Sequence, residues 1–251
     1  MLSLPSLDTL PTRWQPYRDG IERAADGEDA LAHLPAQDRA GFEQDFAAAV
    51  GMPWAAYNHL RRAAAVLARH SSEGGAELAV SRIDTPLGEM LAVFAEAEGL
   101  SLLEFADQSG VDKELAAVQQ AFGGRFVWRE CPASALLRQE LAAYFQGRLK
   151  NFSVPLRPVG TAFQRRVWAA LQTIPYGSTL SYKQQAERLG DAKAVRAVAA
   201  ANGQNKISII IPCHRVIGSN GKLTGYAGGL FRKQYLLNLE QQDIQTALFA
   251  G

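Results

Sequence analysis

"GTAFQRRVWAALQTIPYGSTLSYKQQAERLGDAKAVRAVAAANGQNK", residues 160–206, decides how the C-terminal third of this chain should fold. Thr161 with Gln164 is a capping-box pattern, and Phe163, Val167, Leu171 and Ile174 form the buried stripe of a helix stopped by Pro175. Ser181 with Gln184 repeats the signal. The helix it opens ends at Gly190, and Asp191 is placed to cap a third helix running to about Asn202. Two short helices joined by a glycine turn make a helix-turn-helix candidate. The third helix, "AKAVRAVAAANG", is nearly all alanine and valine with one arginine, Arg196. A dressed helix is about 10–12 Å across and the minor groove about 6 Å wide. Such a surface can press against a widened minor groove but can hardly read base edges. Tight packing in the core is the equally good structural reading.

Immediately downstream, "KISIII" at 206–211 fits a short buried strand whose ladder Pro212 cannot extend. Cys213 and His214 then sit just past a rigid strand end, held in place yet accessible. A free thiol with a pKa of about 8.5 is only a few per cent thiolate at neutral pH. A neighbouring imidazole, oriented by a carboxylate, raises that fraction. Adjacent side chains usually point apart, so the two residues need a water or a bend to communicate. A lone cysteine is more often a small buried hydrophobe. Proline, cysteine, histidine and arginine together at a strand end favour a site.

The charge distribution agrees. Residues 1–159 carry 15 Lys+Arg against 21 Asp+Glu, whereas residues 160–251 carry 11 against 4, and the basic end suggests an anionic partner such as nucleic acid. No apolar run approaches the roughly 18 residues of a bilayer span, and no basic-then-apolar leader opens the sequence, so a cytoplasmic address is expected. Two cysteines, Cys131 and Cys213, and four scattered histidines support neither a disulfide framework nor a metal site. Cys131 reads as a loop or core thiol.

Working towards the N-terminus, "ELAVSRIDTPLGEMLAVFAEAEGLSLLEFAD" reads as three short strands with turns at Thr85–Gly88 and near Gly99. Helices follow at about 110–122 and 133–147, the second with Leu137, Leu141, Tyr144 and Phe145 on one face. Residues 71–75, Ser-Ser-Glu-Gly-Gly, read as a linker. Before it, Phe42, Phe46, Ala49 and Val50 share a helical face ended by Gly51. Pro53 fits the first turn of the next helix, whose stripe is Tyr57, Leu60, Ala64 and Leu67. "GFEQDFAAAVGMPWAAYNHLRR" resembles the second helix-turn-helix unit of AraC-type regulators, as a degenerate structural remnant lacking the basic residues of a DNA-reading helix.

"PCHRV", preceded by the 160–206 stretch and followed by "GYAGGLFRKQYLLNLE", resembles the O6-alkylguanine-DNA alkyltransferases, also called methylated-DNA-protein-cysteine methyltransferases. The resemblance is dense over 160–240 and looser over 77–159. It implies an α+β fold: a helical segment at 1–72, a ribonuclease-H-like domain with a small antiparallel sheet and helices at 77–159, and a mainly helical DNA-binding and active-site domain containing the helix-turn-helix at 160–245. It implies irreversible transfer of an alkyl group from O6-alkylguanine, and from O4-alkylthymine, in double-stranded DNA to the protein's own cysteine. The protein would act once, as a monomer, with no cofactor, no metal and no membrane. Carried over, it makes Cys213 the acceptor, with His214 taking the proton through a water and Glu240 orienting the imidazole. Tyr182 would protonate or hydrogen-bond the departing guanine, and Asn205 would brace the cysteine turn. Arg196 would replace the extruded nucleotide, with Ala197, Ala200, Thr161 and Ser181 on the DNA-facing surface. Pro212, Tyr226, Ala227 and Gly228 would line the base pocket. Base flipping suits an arginine-bearing minor-groove helix, and the thioether product resists water. Ala227 and Ser208 depart from some members' pattern and bear on tolerance for large alkyl groups. The zinc-binding, cysteine-rich unit of regulatory members is not matched, since no cysteine precedes Cys131. A lesion-binding module without transfer and a Cys-His-Glu hydrolase are the alternative readings.

Overall fold

The structure is a computed structural model that describes residues 4–23, 31, 34–71, 74–95 and 99–249, with side chains described as far as residue 242. Three helices come first: α1 (Gln15–Arg23), α2 (Arg39–Val50) and α3 (Trp54–Arg69). Gly51, at φ 79°, ends α2 in the left-handed conformation that a side chain resists, and Pro53 is the N-cap of α3. Trp14, Phe42, Phe46, Trp54 and Tyr57 pack edge-on in one aromatic cluster. Residues 72–73 of the expected linker lie outside the described residues.

Strands β1 (Glu77–Thr85), β2 (Gly88–Ala95) and β3 (Gly99–Phe105) form the expected antiparallel meander, with a two-residue hairpin turn between Thr85 and Gly88. After α4 (Val111–Phe122), a fourth strand, β4 (Arg125–Trp128), pairs parallel to β1, giving the order β3-β2-β1-β4. The sheet is therefore mixed rather than purely antiparallel. Four residues between glycines and Arg129 are too few to show a period, and pairing alone makes them a strand. α5 (Pro132–Phe145) completes this part and buries Leu137, Leu141 and Tyr144.

Alternation along the strands gives the sheet two apolar faces, and each is covered. Leu78, Val80, Leu91, Val93 and Leu102 pack on Val111, Leu115 and Val118 of α4 and on Leu60, Ala63, Val66 and Leu67 of α3. Ala79, Ile83, Met90, Phe94, Leu103 and Phe105 face α5 and the C-terminal helices. The helix before the linker thus belongs to the core of the sheet.

The C-terminal part comprises α6 (Ala162–Gln172), β5 (Leu180–Ser181), α7 (Tyr182–Arg188), α8 (Val195–Gly203), β6 (Val216–Ile217) and α9 (Leu230–Phe249). Both capping boxes form: Thr161 Oγ1 accepts from Gln164 N, and Ser181 Oγ from Gln184 N, with the glutamine side chains reciprocating. Three local expectations need correction. Phe163 is 40% exposed rather than part of the buried stripe, because it projects from the first turn of α6 before the helix reaches the core. Asp191 caps a separate turn, accepting from Lys193 N at 2.8 Å, and α8 starts only at Val195 without a side-chain cap. Residues 206–211 form no strand. A single parallel bridge, Leu103 N to Lys206 O and Ser208 N to Leu103 O, both 2.8 Å, docks this segment on the free edge of β3. It then coils into consecutive turns.

Candidate active site

The cysteine-bearing turn is held by side chains rather than by a ladder. Asn205, 2% exposed, accepts from Ile207 N through Oδ1 and donates through Nδ2 to Ile211 O at 2.8 Å and to Cys213 Sγ at 3.3 Å. One amide therefore replaces the backbone pairing a strand would have supplied and also touches the sulfur. Ile209 has φ 70°, a conformation a β-branched residue adopts only when its surroundings impose it. Ser208 is anchored to the sheet, its Oγ 2.8 Å from Glu104 Oε2 on β3, both side chains buried.

Pro212, buried, precedes a 3-10 turn of Cys213–Arg215. Cys213 is partly exposed. Burial, opposed by the Asn205 hydrogen bond, pushes its thiol up to about 11, so the sulfur is protonated at rest. Behind it lies a fully buried polar knot. His214 Nε2 is 2.9 Å from Glu240 Oε1, which also accepts from Tyr144 Oη at 2.7 Å. Arg215 bonds both carboxylate oxygens, and Gly177 N donates to Oε2 at 3.0 Å. Burial alone would raise the Glu240 carboxyl, but His214 and Arg215 together hold it down at about 2. An ionised Glu240 assigns the imidazole proton to Nε2 and leaves Nδ1 as the basic nitrogen. That Nδ1 is buried and has no hydrogen-bond partner among the described residues. Burial first, with Arg215 and Lys233 adding to it against Glu240, lowers the His214 pKa below its ordinary 6.5, so the ring is a neutral base.

The parallel pairing of Leu180 with Val216 and Ser181 with Ile217 brings the start of α7 alongside the chain leaving this turn. Tyr182 thereby faces the loop at 224–229, its hydroxyl 3.3 Å from Thr224 O. Lys233, with no solvent exposure, ties the same loop to β6, donating to Thr224 O at 2.7 Å and to Val216 O at 2.6 Å. Burial lowers its pKa to about 8. Gly228 is buried, Tyr226 half-buried and Ala227 exposed.

α8 divides cleanly. Val198, Ala201 and Asn202 face inward, where Asn202 and Gln185 exchange amide hydrogen bonds and Ala201 O accepts from Trp168 Nε1. Arg196, Ala197 and Ala200 are exposed on the other side. Thr161 is exposed and Ser181 half-buried, each with its hydroxyl engaged in a helix cap. Tyr144 and Glu104 carried no recognisable sequence signal, since each is one polar residue within an apolar pattern, and Lys233 reads as one of three consecutive polar residues, Arg232 to Gln234, on the surface of a helix. Arg215 stood inside the quoted motif, yet only the fold shows it gripping Glu240.

Residues 162–242 match the family profile described as "6-O-methylguanine DNA methyltransferase, DNA binding domain", and residues 79–158 match "6-O-methylguanine DNA methyltransferase, ribonuclease-like domain". A protein of Mycolicibacterium paratuberculosis named methylated-DNA–protein-cysteine methyltransferase is 50% identical over 151 residues, covering 59% of this chain and 92% of its own. One of the same name from Methanosarcina acetivorans is 45% identical over 157 residues, covering 62% and 94%. Among solved structures, Mycobacterium tuberculosis OGT in complex with DNA aligns with a TM-score of 0.56 at 41% identity, covering 66% of this chain and 94% of that one.

Proposed function

Because the chain belongs to the 6-O-methylguanine DNA methyltransferase family, we propose that it repairs alkylated DNA by taking the alkyl group of O6-alkylguanine onto Cys213 Sγ, once per molecule. The observation that carries this reading is the buried His214–Glu240 pair behind a partly exposed cysteine, at the foot of a helix-turn-helix.

In the proposed step His214 Nδ1 takes the thiol proton through a bridging water. The thiolate attacks the alkyl carbon, an S–C bond forms and the C–O6 bond breaks. The electron pair passes into the guanine ring, which regains a proton at its ring nitrogen with help from the Tyr182 hydroxyl. The thioether has no hydrolytic exit, so turnover stops. Arg196, with Ala197 and Ala200 beside it, enters the duplex where the damaged base has left, while Thr161 and Ser181 cap helices whose N-termini face the backbone phosphates. Pro212, Tyr226, Ala227 and Gly228 bound the base. O4-alkylthymine presents the same alkyl–oxygen bond on a smaller ring and is the second expected substrate. We read residues 77–159 and 160–245 as the two working divisions of a monomer acting in the cytoplasm, with the 1–72 segment joined to the first through α3. Among the described residues no helix is long and apolar enough to cross a membrane.

Incubation with duplex DNA carrying labelled O6-methylguanine tests the proposal. Label should reach the protein at no more than one equivalent, on the peptide containing Cys213, and Cys213→Ala should abolish it. Repeated turnover, or lesion binding without alkylation, would overturn it.

A further inference from the structure

Resting on the alkyl-transfer reading above, we propose that Arg232 is a positioning residue that fastens the base-pocket loop to the N-terminal sheet and so sets the size of alkyl group accepted. Arg232 lies in the first turn of α9, just after the loop. Its guanidinium joins three separate segments. Nε donates to Leu87 O of the β1–β2 turn at 2.9 Å, Nη1 to Gly228 O of the pocket loop at 3.2 Å, and Nη2 to both carboxylate oxygens of Asp107, beyond β3, at 2.9 and 3.0 Å. The same group lies 3.9 Å above the Phe105 ring. A planar fork with five donors can hold all of these together, and a lysine cannot.

There is no slack in this joint. A Cβ on Gly228 would stand 2.9 Å from Phe105 Cδ2 and 3.0 Å from Tyr226 Cε1, so the loop already touches both the sheet and the pocket tyrosine. A Cβ on Gly88 would stand 3.1 Å from Arg232 Nη2. On either side of Gly228 little is buried: Ala227 and Gly229 are exposed, and Leu230 and Phe231 are 49% and 77% exposed. Lys233 holds the Thr224 end of the loop, and the clamp to Asp107 and Leu87 holds its Gly228 end against Phe105. A methyl group reacts only if the base is pressed close enough for its small carbon to meet Sγ. In a benzyl group the carbon attacked is bonded to O6 just as the methyl carbon is, but its phenyl ring needs more room and makes contacts of its own, so it tolerates a wall that has moved outward.

The test uses single-turnover rate constants on duplexes carrying O6-methylguanine or O6-benzylguanine at one position, for the wild type, Arg232→Met, Asp107→Ala and Asp107→Asn. Misplacement by about 1 Å can cost about a hundredfold, so a partial loosening should slow methyl transfer about tenfold and benzyl transfer less than about threefold. The benzyl-to-methyl ratio should rise in Arg232→Met and Asp107→Ala. Asp107→Asn, which keeps an acceptor oxygen for Nη2, should stay near the wild-type ratio. An unchanged ratio, or an equal fall in both rates, overturns the clamp. Should Arg232→Met fail to fold, the two Asp107 variants decide. If the wild type itself takes up no label the alkyl-transfer reading fails, whereas normal wild-type transfer with unmoved ratios sinks the clamp alone.

Discussion

Replacing Glu240 with glutamine keeps the shape of the buried knot and removes its only negative charge. Glu240 and His214 are fully buried, and Arg215 is 6% exposed. Breaking such a pair from one side costs about 3–5 kcal/mol, because the arginine is left uncompensated. The chemical consequence can be set beside that. A thiol titrating at about 11 is ionised in only about one molecule in ten thousand at pH 7, so transfer at useful rates depends on the imidazole accepting the proton. An amide at position 240 can donate to His214 and place the imidazole proton on Nδ1, the nitrogen that has to be bare. General-base assistance is worth about a hundred- to ten-thousandfold, and Glu240→Gln should lose most of it. The assay is single-turnover transfer of label from O6-methylguanine duplex, run beside denaturant unfolding at the same pH. Tyr144→Phe is the control: it removes one hydrogen bond to Glu240 Oε1 and leaves the charge, so transfer should fall less than about tenfold. A folded Glu240→Gln protein that transfers within about threefold of wild type would refute the proton route.

Transfer in the wild type should be level through neutral pH and fall in acid, because burial places the His214 pKa below 6.5 and the ring must be neutral to accept a proton; a pH–rate profile that falls already above pH 7 contradicts this. Glu104 has its pKa raised well above 4.5, chiefly by burial and also by Glu114, so the folded state holds a proton that the unfolded chain releases. Its contribution is complete below pH 4.5 and is lost as pH rises towards the folded value, so Glu104→Gln should raise the Tm more at pH 8 than at pH 5. Leu67→Ala on α3 should destabilise the whole sheet by about 2–5 kcal/mol in one cooperative denaturant transition, since Leu67 shares a core with Val80 and Val93. Arg196→Ala should slow transfer from duplex DNA at least about tenfold while leaving reaction with free O6-benzylguanine base within twofold, since only the duplex must be opened.

Local signals in the sequence were enough wherever a few neighbouring residues control the backbone. The two capping boxes, the Thr85–Gly88 hairpin turn and the glycine ends of α2 and α7 all form as read, because each depends on contacts within three or four residues. The three-isoleucine run was misleading for the complementary reason. Its β-branched composition favours a strand, yet Asn205, Glu104 and the edge of β3, distant in sequence or unlike a ladder, supply the hydrogen bonds that coil it.

Residue types and their order alone determined that the chain carries a strand-and-helix scaffold followed by a basic helix-turn-helix and a Pro-Cys-His-Arg turn. The tertiary structure decided which polar groups meet. Tyr144, Gly177 and the adjacent His214 and Arg215 converge on Glu240 from three places in the chain, and Arg232 crosses from α9 to Leu87 and Asp107. Hydrogen bonds between side chains so far apart leave no periodicity in a sequence, because their geometry exists only once separate apolar faces have packed and brought those residues within 3 Å.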